Sequence, residues 1–413
     1  MSANPIAAQS DPVAKPASVA VARQPIFDRA ENITGFEVLY RPMPGSDERQ
    51  GPEGATSSVI VQSIADIGLE RLVGTQRAHI NVTREFLLEV RPLPLPPERV
   101  VLELVGSQKV DGQLLEALQD AVDAGFELAL DDFQLDHEHR PLLELATAVK
   151  LDIRELDGPT LIRHMKSLRG RGLRLIAEKV ETRQDYQGCR ALGFDEFQGY
   201  FFAEPALVSA NTAPTHRLAA LGTLVQPSRK ASFEELEQVI AQDAGLSHKL
   251  VRLANSAFVG ARHEVASVRQ ALMLLGTVAV RRWAMLLMLA GMTDSPQHLL
   301  NVGLLRARLC ELLATQHPVA VTDRAFTVGL FSVVDALLDV PMATLLDELP
   351  FDTRLTHALL DHTGPEGRLL AAVMDYERGD FTDCDRSGVT LLALAHSYRQ
   401  AVDWADQATR HLG

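Results

Sequence analysis

The sequence predicts an α/β plus all-α chain: a TIM-like (β/α) barrel in the first half and a helical domain in the second. Three observations predict it. Short apolar runs alternate with amphipathic stretches from Val21 to about residue 207, the pattern of parallel strands joined by helices. Those runs repeatedly end in an acidic, amide or lysine residue. Repeated round a closed barrel, such ends bring polar groups from distant sequence into one mouth. Beyond Ser232 helical periodicity takes over, and no strand alternation of useful length follows.

In chain order, residues 1–19 are rich in Ala, Ser and Pro, lack a periodic apolar face, and read as a disordered tail. The barrel is expected over 20–207. Within it Val100–Val105, Phe126–Leu130 and Arg174–Ala177 read as buried strands, with helices over Leu114–Ala124 and Leu161–Arg169. The prolines of RPLPLPPERV, residues 91–100, make a rigid lead into the strand that carries Glu103. Residues 208–230 read as a linker with room for a short helix, and the helical domain is expected over 231–405. Ser232 and Glu235 match a capping box. Leu236, Val239 and Ile240 open an apolar stripe that Leu246 and Leu250 continue.

The polar strand ends are Glu37 in FEVLYR, Asn81 in HINVT, Glu103 in VVLELV, and Asp131 with Asp132 in LALDDF. Lys150 and Asp152 follow in AVKLD, Glu178 and Glu181 in LIAEKVET, and Gln198 in FQGYFF. A single acidic strand end often does no more than solvate a loop. The aspartate pair says more. Neighbours on a strand point to opposite faces, so Asp131 and Asp132 share the mouth only at a strand end. Like charges that close call for a cation. The pattern points to a divalent-metal or phosphate site.

Bulk composition narrows the rest. The chain has 413 residues and a formal net charge of -14, which argues against direct nucleic-acid binding through a cationic surface. Cys189, Cys310 and Cys384 show no CxxC or Cys–His spacing, so neither a disulfide framework nor a zinc site is expected. No apolar run reaches the ~18 residues that span a bilayer, and no signal peptide is legible. The expected location is the cytoplasm.

FEVLYR, INVT, LEL, LALDDF, VKLD, AEKVET and FQGYFF, in this order, resemble the EAL domain, which hydrolyses cyclic di-GMP. ARQPIFD at 22–28 is similar to the start of EAL domains that precede an HDOD domain. FEELEQVIAQDAGLSHKLVRLANSAFVG, VASVRQALMLLGTVAVRRWAMLLML, AFTVGLFSVVDALL and DYERGDF resemble the HDOD core. The resemblance implies two divalent cations, Mg²⁺ or Mn²⁺, and hydrolysis of cyclic di-GMP to linear pGpG. It implies Glu37, Asn81, Glu103, Asp131, Asp132 and Glu178 as metal ligands. Lys150 would orient the attacking water or steady developing charge, Glu181 and Gln198 would hold the site's water and neighbouring side chains, and Arg41 would grip a ligand phosphate. Asp152 is expected in a supporting position. The alternative is a degenerate barrel that serves as a cyclic di-GMP receptor or protein-interaction adaptor.

The sequence also departs from the family pattern. The second glutamate of E-I-T-E is Gly106, both loop glycines of D-D-F-G-T-G are gone, with Gln134 and Asp136 in their places, and Lys179 replaces the glycine of A-E-G-V-E. The ammonium of Lys179 is therefore expected to compete with a cation. The altered loop normally supports a dimer contact, so a homodimer stays open. In the second half His248 is followed by Lys249, and Asp361–His362 has no partner histidines at metal-ligand spacing. The HDOD half is expected to do no metal chemistry and to hold a protein partner. Asn255 and Ser256 are expected to be structural. Arg281, Arg282 and Trp283 read either as an anion or partner patch or as an ordinary helix flank.

Overall fold

The structure is a computed structural model. It describes residues 19–42, 68–105, 108–133, 139–199, 215–225, 232–256, 265–292, 297–338, 340–349, 351–381 and 388–412. The first half forms a closed barrel, β1 to β8 in sequence order. The strands are β1 Val19–Asp28, β2 Ile33–Pro42, β3 Arg77–Val82, β4 Val100–Val105, β5 Glu127–Asp131, β6 Ala148–Asp152, β7 Arg174–Glu178 and β8 Glu196–Gln198. From β2 to β8 neighbours are parallel.

β1 departs from the all-parallel expectation and is antiparallel to both β2 and β8. The reason is local. Asp28 accepts from the backbone N–H groups of Ala30 (2.8 Å) and Asn32 (2.9 Å), and Glu31 takes a left-handed φ of 62°. A parallel return needs a crossover of a dozen or more residues, so a turn this tight makes a hairpin. Its register sets Gln24 opposite Glu37.

Between the strands lie α1 Leu69–Val73, α2 Arg84–Glu89, α3 Gly112–Asp123, a 3₁₀ turn at Arg140–Glu144, α4 Gly158–Leu168 and α5 Arg183–Leu192. The helices α3 and α4 start earlier than their apolar stripes because Asp111 and Asp157 cap them, accepting from Leu114 N and Thr160 N. Leu102, Leu104, Leu128 and Val149 bury their outward face against Leu114, Leu118 and Met165. Inside the barrel Ile26, Val101, Ala129, Ala148 and Ile176 form a small apolar plug. Above this plug, the inward positions at the strand ends are polar.

The second half is helical. Its elements are α6 Thr215–Val225, α7 Phe233–Ala241, α8 Ala244–Ala254, α9 Val268–Leu275, α10 Thr277–Met292, α11 Gln297–Ala314, α12 Thr322–Phe331, α13 Val334–Leu338, α14 Met342–Glu348, α15 Thr353–Leu360, α16 Gly364–Glu377 and α17 Leu391–Leu412. Ser232 and Glu235 form the reciprocal capping box at the start of α7. The helix α6 lies within the stretch read as a linker. At the centre, Gly329 of α12 sits against the backbone of Arg306 in α11, where a Cβ would overlap the Arg306 carbonyl.

The two halves meet at the mouth end of the β1–β2 hairpin. Ala20 and Ala22 belong to the apolar core of the helical half. Tyr376 of α16 donates its hydroxyl to Val21 O (2.9 Å). Tyr398 of α17 accepts from Arg23 N (3.2 Å). The Arg23 guanidinium grips Asp406 of α17 with both Nη atoms, at 2.8 and 3.2 Å. Among the described residues no helix is long and apolar enough to cross a membrane.

Candidate functional site

The polar strand ends converge on Lys150, whose side chain is fully buried. Its Nζ lies 2.7 Å from Glu178, 3.0 Å from Glu37, 3.1 Å from Glu103 and 3.9 Å from Asp131. Asn81 Nδ2 donates to Glu37 Oε1 (2.9 Å), and Gln198 Nε2 donates to Glu37 Oε2 (2.6 Å). Asp131 closes β5, and Asp132 turns away at φ 48°. That turn releases the pair from strand alternation, and oxygens of Asp131, Asp132 and Glu178 lie within 4.8 Å of one another.

The electrostatics follow from burial. Burial pushes the Glu103 and Glu178 carboxyls well above their ordinary range, against the pull of Lys150. Glu37 is also buried, but Lys150, Gln198 and Asn81 outweigh that cost and hold it below its ordinary range. The ammonium of Lys150 is disfavoured by burial, yet Glu103, Glu37 and Glu178 keep its pKa well above normal. Asp132 is raised by burial and by Asp131.

Sequence reasoning missed two neighbours. His79 lies 2.7 Å from Glu103 through Nδ1, and burial, then Lys150, push its pKa down to about 4. Gln24 accepts from Gln198 Nε2 at 2.8 Å. The signal for both was position: His79 is two residues from Asn81 on one strand face, and Gln24 faces Glu37 across the hairpin.

Glu181 is not brought into the cluster. It is largely exposed and pairs with Arg154 at 3.1 Å. The reason is that β7 ends at Glu178 and the chain turns into α5, whose capping box starts at Thr182. Asp152 accepts from Arg154 N (2.7 Å) and Glu155 N (3.2 Å), and pairs with Lys179. The backbone of Lys179 is left-handed, φ 55°, a conformation that favours glycine. Gly199 closes the rim, φ 153°, where a Cβ would collide with the backbone of Val180. The Arg41 side chain, Gly106, Gln134 and Asp136 lie outside the described residues.

The donor set suits a hard divalent cation, being carboxylate and amide oxygens throughout. The structure adds an independent sign: Asn81 Oδ1 is buried beside Glu37 and meets no hydrogen-bond donor. A buried acceptor in that condition is costly unless something electropositive faces it. Glu37, Asn81, Glu103, Asp131, Asp132 and Glu178 therefore fit a metal.

The EAL domain profile matches residues 74–205, and the HDOD domain profile matches residues 214–344. A protein of Vibrio cholerae named cyclic di-GMP phosphodiesterase CdgJ is 32% identical over 403 residues, covering 94% of this chain and 93% of that one. This chain belongs to the EAL–HDOD proteins. The Bacillus subtilis protein YuxH, uncharacterized by name, is 29% identical over 94% of this chain and 98% of its own. The solved Klebsiella pneumoniae BlrP1 calcium/cy-diGMP complex aligns at TM-score 0.38 and 21% identity, over 46% of this chain and 56% of that one.

In the HDOD half, the flank reading holds for Arg281–Trp283. Arg281 pairs with Asp323. Arg282 pairs with Glu311 and Asp323 and lies over the Phe326 ring. Trp283 packs against Trp404 at 5.8 Å. Asn255 bridges to Val265 through Nδ2 and Oδ1, both at 2.7 Å. Asp361 is engaged by His357 at 3.0 Å. Among the described residues, acidic or histidine groupings able to hold a metal occur only in the EAL barrel.

Proposed function

We propose that this chain is a cytoplasmic, metal-dependent phosphodiesterase that hydrolyses cyclic di-GMP to pGpG, with the HDOD half as a regulatory and protein-interaction module. The observation that carries this reading is the gathering of Glu37, Asn81, Glu103, Asp131, Asp132 and Glu178 at the mouth of an EAL barrel. The name of the Vibrio cholerae relative supports it. Mg²⁺ or Mn²⁺ held by these oxygens would lower the pKa of a bound water and polarise the phosphodiester. Lys150 would steady charge that develops on the phosphate, since its ammonium already sits among the same carboxylates. Gln198 would keep Glu37 oriented. Arg41 would grip a phosphate of the nucleotide, and Glu181 would have to exchange Arg154 for the site's water.

The test is pGpG formation by purified protein with Mg²⁺ or Mn²⁺, beside nucleotide affinity by calorimetry. Product that vanishes in Glu37→Ala establishes the enzyme. Tight binding without product establishes the receptor reading instead. That second reading is favoured by Lys179, whose ammonium pairs with Asp152, in a group with Asp132 and Glu155 close enough to hold a cation.

A further inference from the structure

β1 is shared between the two halves. Its mouth end is held by the helical half through Tyr376 on Val21 O, Tyr398 on Arg23 N and Asp406 on the Arg23 guanidinium. The next residue, Gln24, lies in the barrel site. Adjacent strand residues face opposite ways, so β1 presents Arg23 to α17 and Gln24 to the site, and a shift of the backbone they share moves both. Gln24 Oε1 and Glu37 Oε2 both accept from Gln198 Nε2, at 2.8 and 2.6 Å. Arg23 also lies over the ring of Phe36, 4.6 Å to its centre, next to Glu37 in β2. The path from α17 to Glu37 thus runs through one strand and two amides.

We propose that Gln24 is a positioning residue for Glu37, and that docking of α17 on Arg23 sets its placement, so that the helical half tunes the affinity of the barrel for its metal. This rests on the metal reading above. The physical basis is that partners behind a ligand fix its orientation, and their loss costs metal affinity about 10–100-fold. Coupling between sites of this kind is worth roughly 5–150-fold.

The experiment measures Mn²⁺ affinity by electron paramagnetic resonance on full-length protein, without nucleotide. Four proteins are compared: wild type, Gln24→Ala, Asp406→Asn, and the double variant. Circular dichroism checks that each is folded. Asp406→Asn keeps the shape, removes the charge and replaces one of the two oxygens that accept from Arg23 with an amide NH₂; Asp406→Ser serves as a second variant if it does not fold. The expected result is weakening by about 10-fold or more for Gln24→Ala and by about 5-fold for Asp406→Asn. The double variant should bind no more weakly than Gln24→Ala alone, because both changes act through one relay. A role for Asp406 in folding alone would not give that non-additivity. Unchanged affinity in Asp406→Asn, or a double variant whose loss is the product of the single losses, overturns the proposal while the metal reading stands. Wild type that binds no Mn²⁺ overturns both.

Discussion

Lys150→Met tests the central claim that a buried ammonium holds the carboxylate cluster together in the absence of metal. Methionine keeps an unbranched side chain, one atom shorter, and removes its charge. The substitution removes the ion pairs at 2.7, 3.0 and 3.1 Å. At an effective dielectric constant of about 20, each full charge pair near 3 Å is worth roughly 5 kcal/mol before desolvation. Most of that gross attraction is offset by the cost of burying the ammonium, and removal of one partner of a buried ion pair costs about 3–5 kcal/mol net. For a domain of barrel size, about 2–4 °C per kcal/mol gives a fall in Tm of roughly 6–20 °C. The loss also has a definite pH dependence. Without Lys150, the folded-state pKa values of Glu103 and Glu178, already raised, rise further, and Glu37 loses the main cause of its depression. Groups raised in the folded state contribute stability below their unfolded pKa and lose it as pH rises. The deficit of the variant therefore widens from pH 6 to pH 8. The assay is calorimetric unfolding in EDTA at both pH values, repeated with excess Mn²⁺, which should narrow the gap by supplying the missing charge. A variant as stable as wild type in EDTA at pH 8 would refute the argument.

Gly329→Ala should cost about 1–3 kcal/mol in urea unfolding, because the new methyl meets the Arg306 backbone and must part α11 from α12. His164 is buried, and burial, then Arg163, lower its pKa. The unfolded chain therefore binds its proton first, and stability is lost as pH falls through the ordinary histidine range, about 6.5; His164→Gln should flatten that part of the urea-midpoint profile between pH 7.5 and 5.5. Cys310 is fully buried, and burial, then Glu377, raise its thiol pKa to about 12. Iodoacetamide at pH 8 should leave it unmodified in the native protein and label it on unfolding, as read by peptide mass spectrometry.

The barrel was legible because its interior obeys a period. A strand that ends on an inward polar residue is recognisable one at a time, and Glu37, Glu103, Asp131 and Glu178 come from separate strands yet meet on Lys150. The antiparallel course of β1 is encoded too, in the turn chemistry of Asp28 and Asn32, but the strand–helix alternation that follows favours an all-parallel sheet and masks it. Glu181 shows the limit of spacing arguments. It follows Glu178 closely, but the start of α5 carries it to the surface and to Arg154. His79 and Gln24 carry no signal as residue types, since a lone histidine or glutamine is common in any chain. Only the pairing of strands reveals that each touches a carboxylate or its amide partner. The grip of α17 on Arg23 lay beyond reach for the same reason: the contact spans 383 positions, and no local pattern announces it.

That long contact bears on how the molecule comes into being. The ribosome delivers β1 long before α17, so the mouth end of this hairpin stays uncovered while the intervening chain is made. Until α16 and α17 arrive, Val21 O and the Arg23 guanidinium have none of the partners that Tyr376 and Asp406 later provide. If this grip sets the site, a nascent chain cannot acquire its final metal affinity while the barrel emerges, and a product broken off before α17 would carry the full set of ligands in a poorly tuned cup.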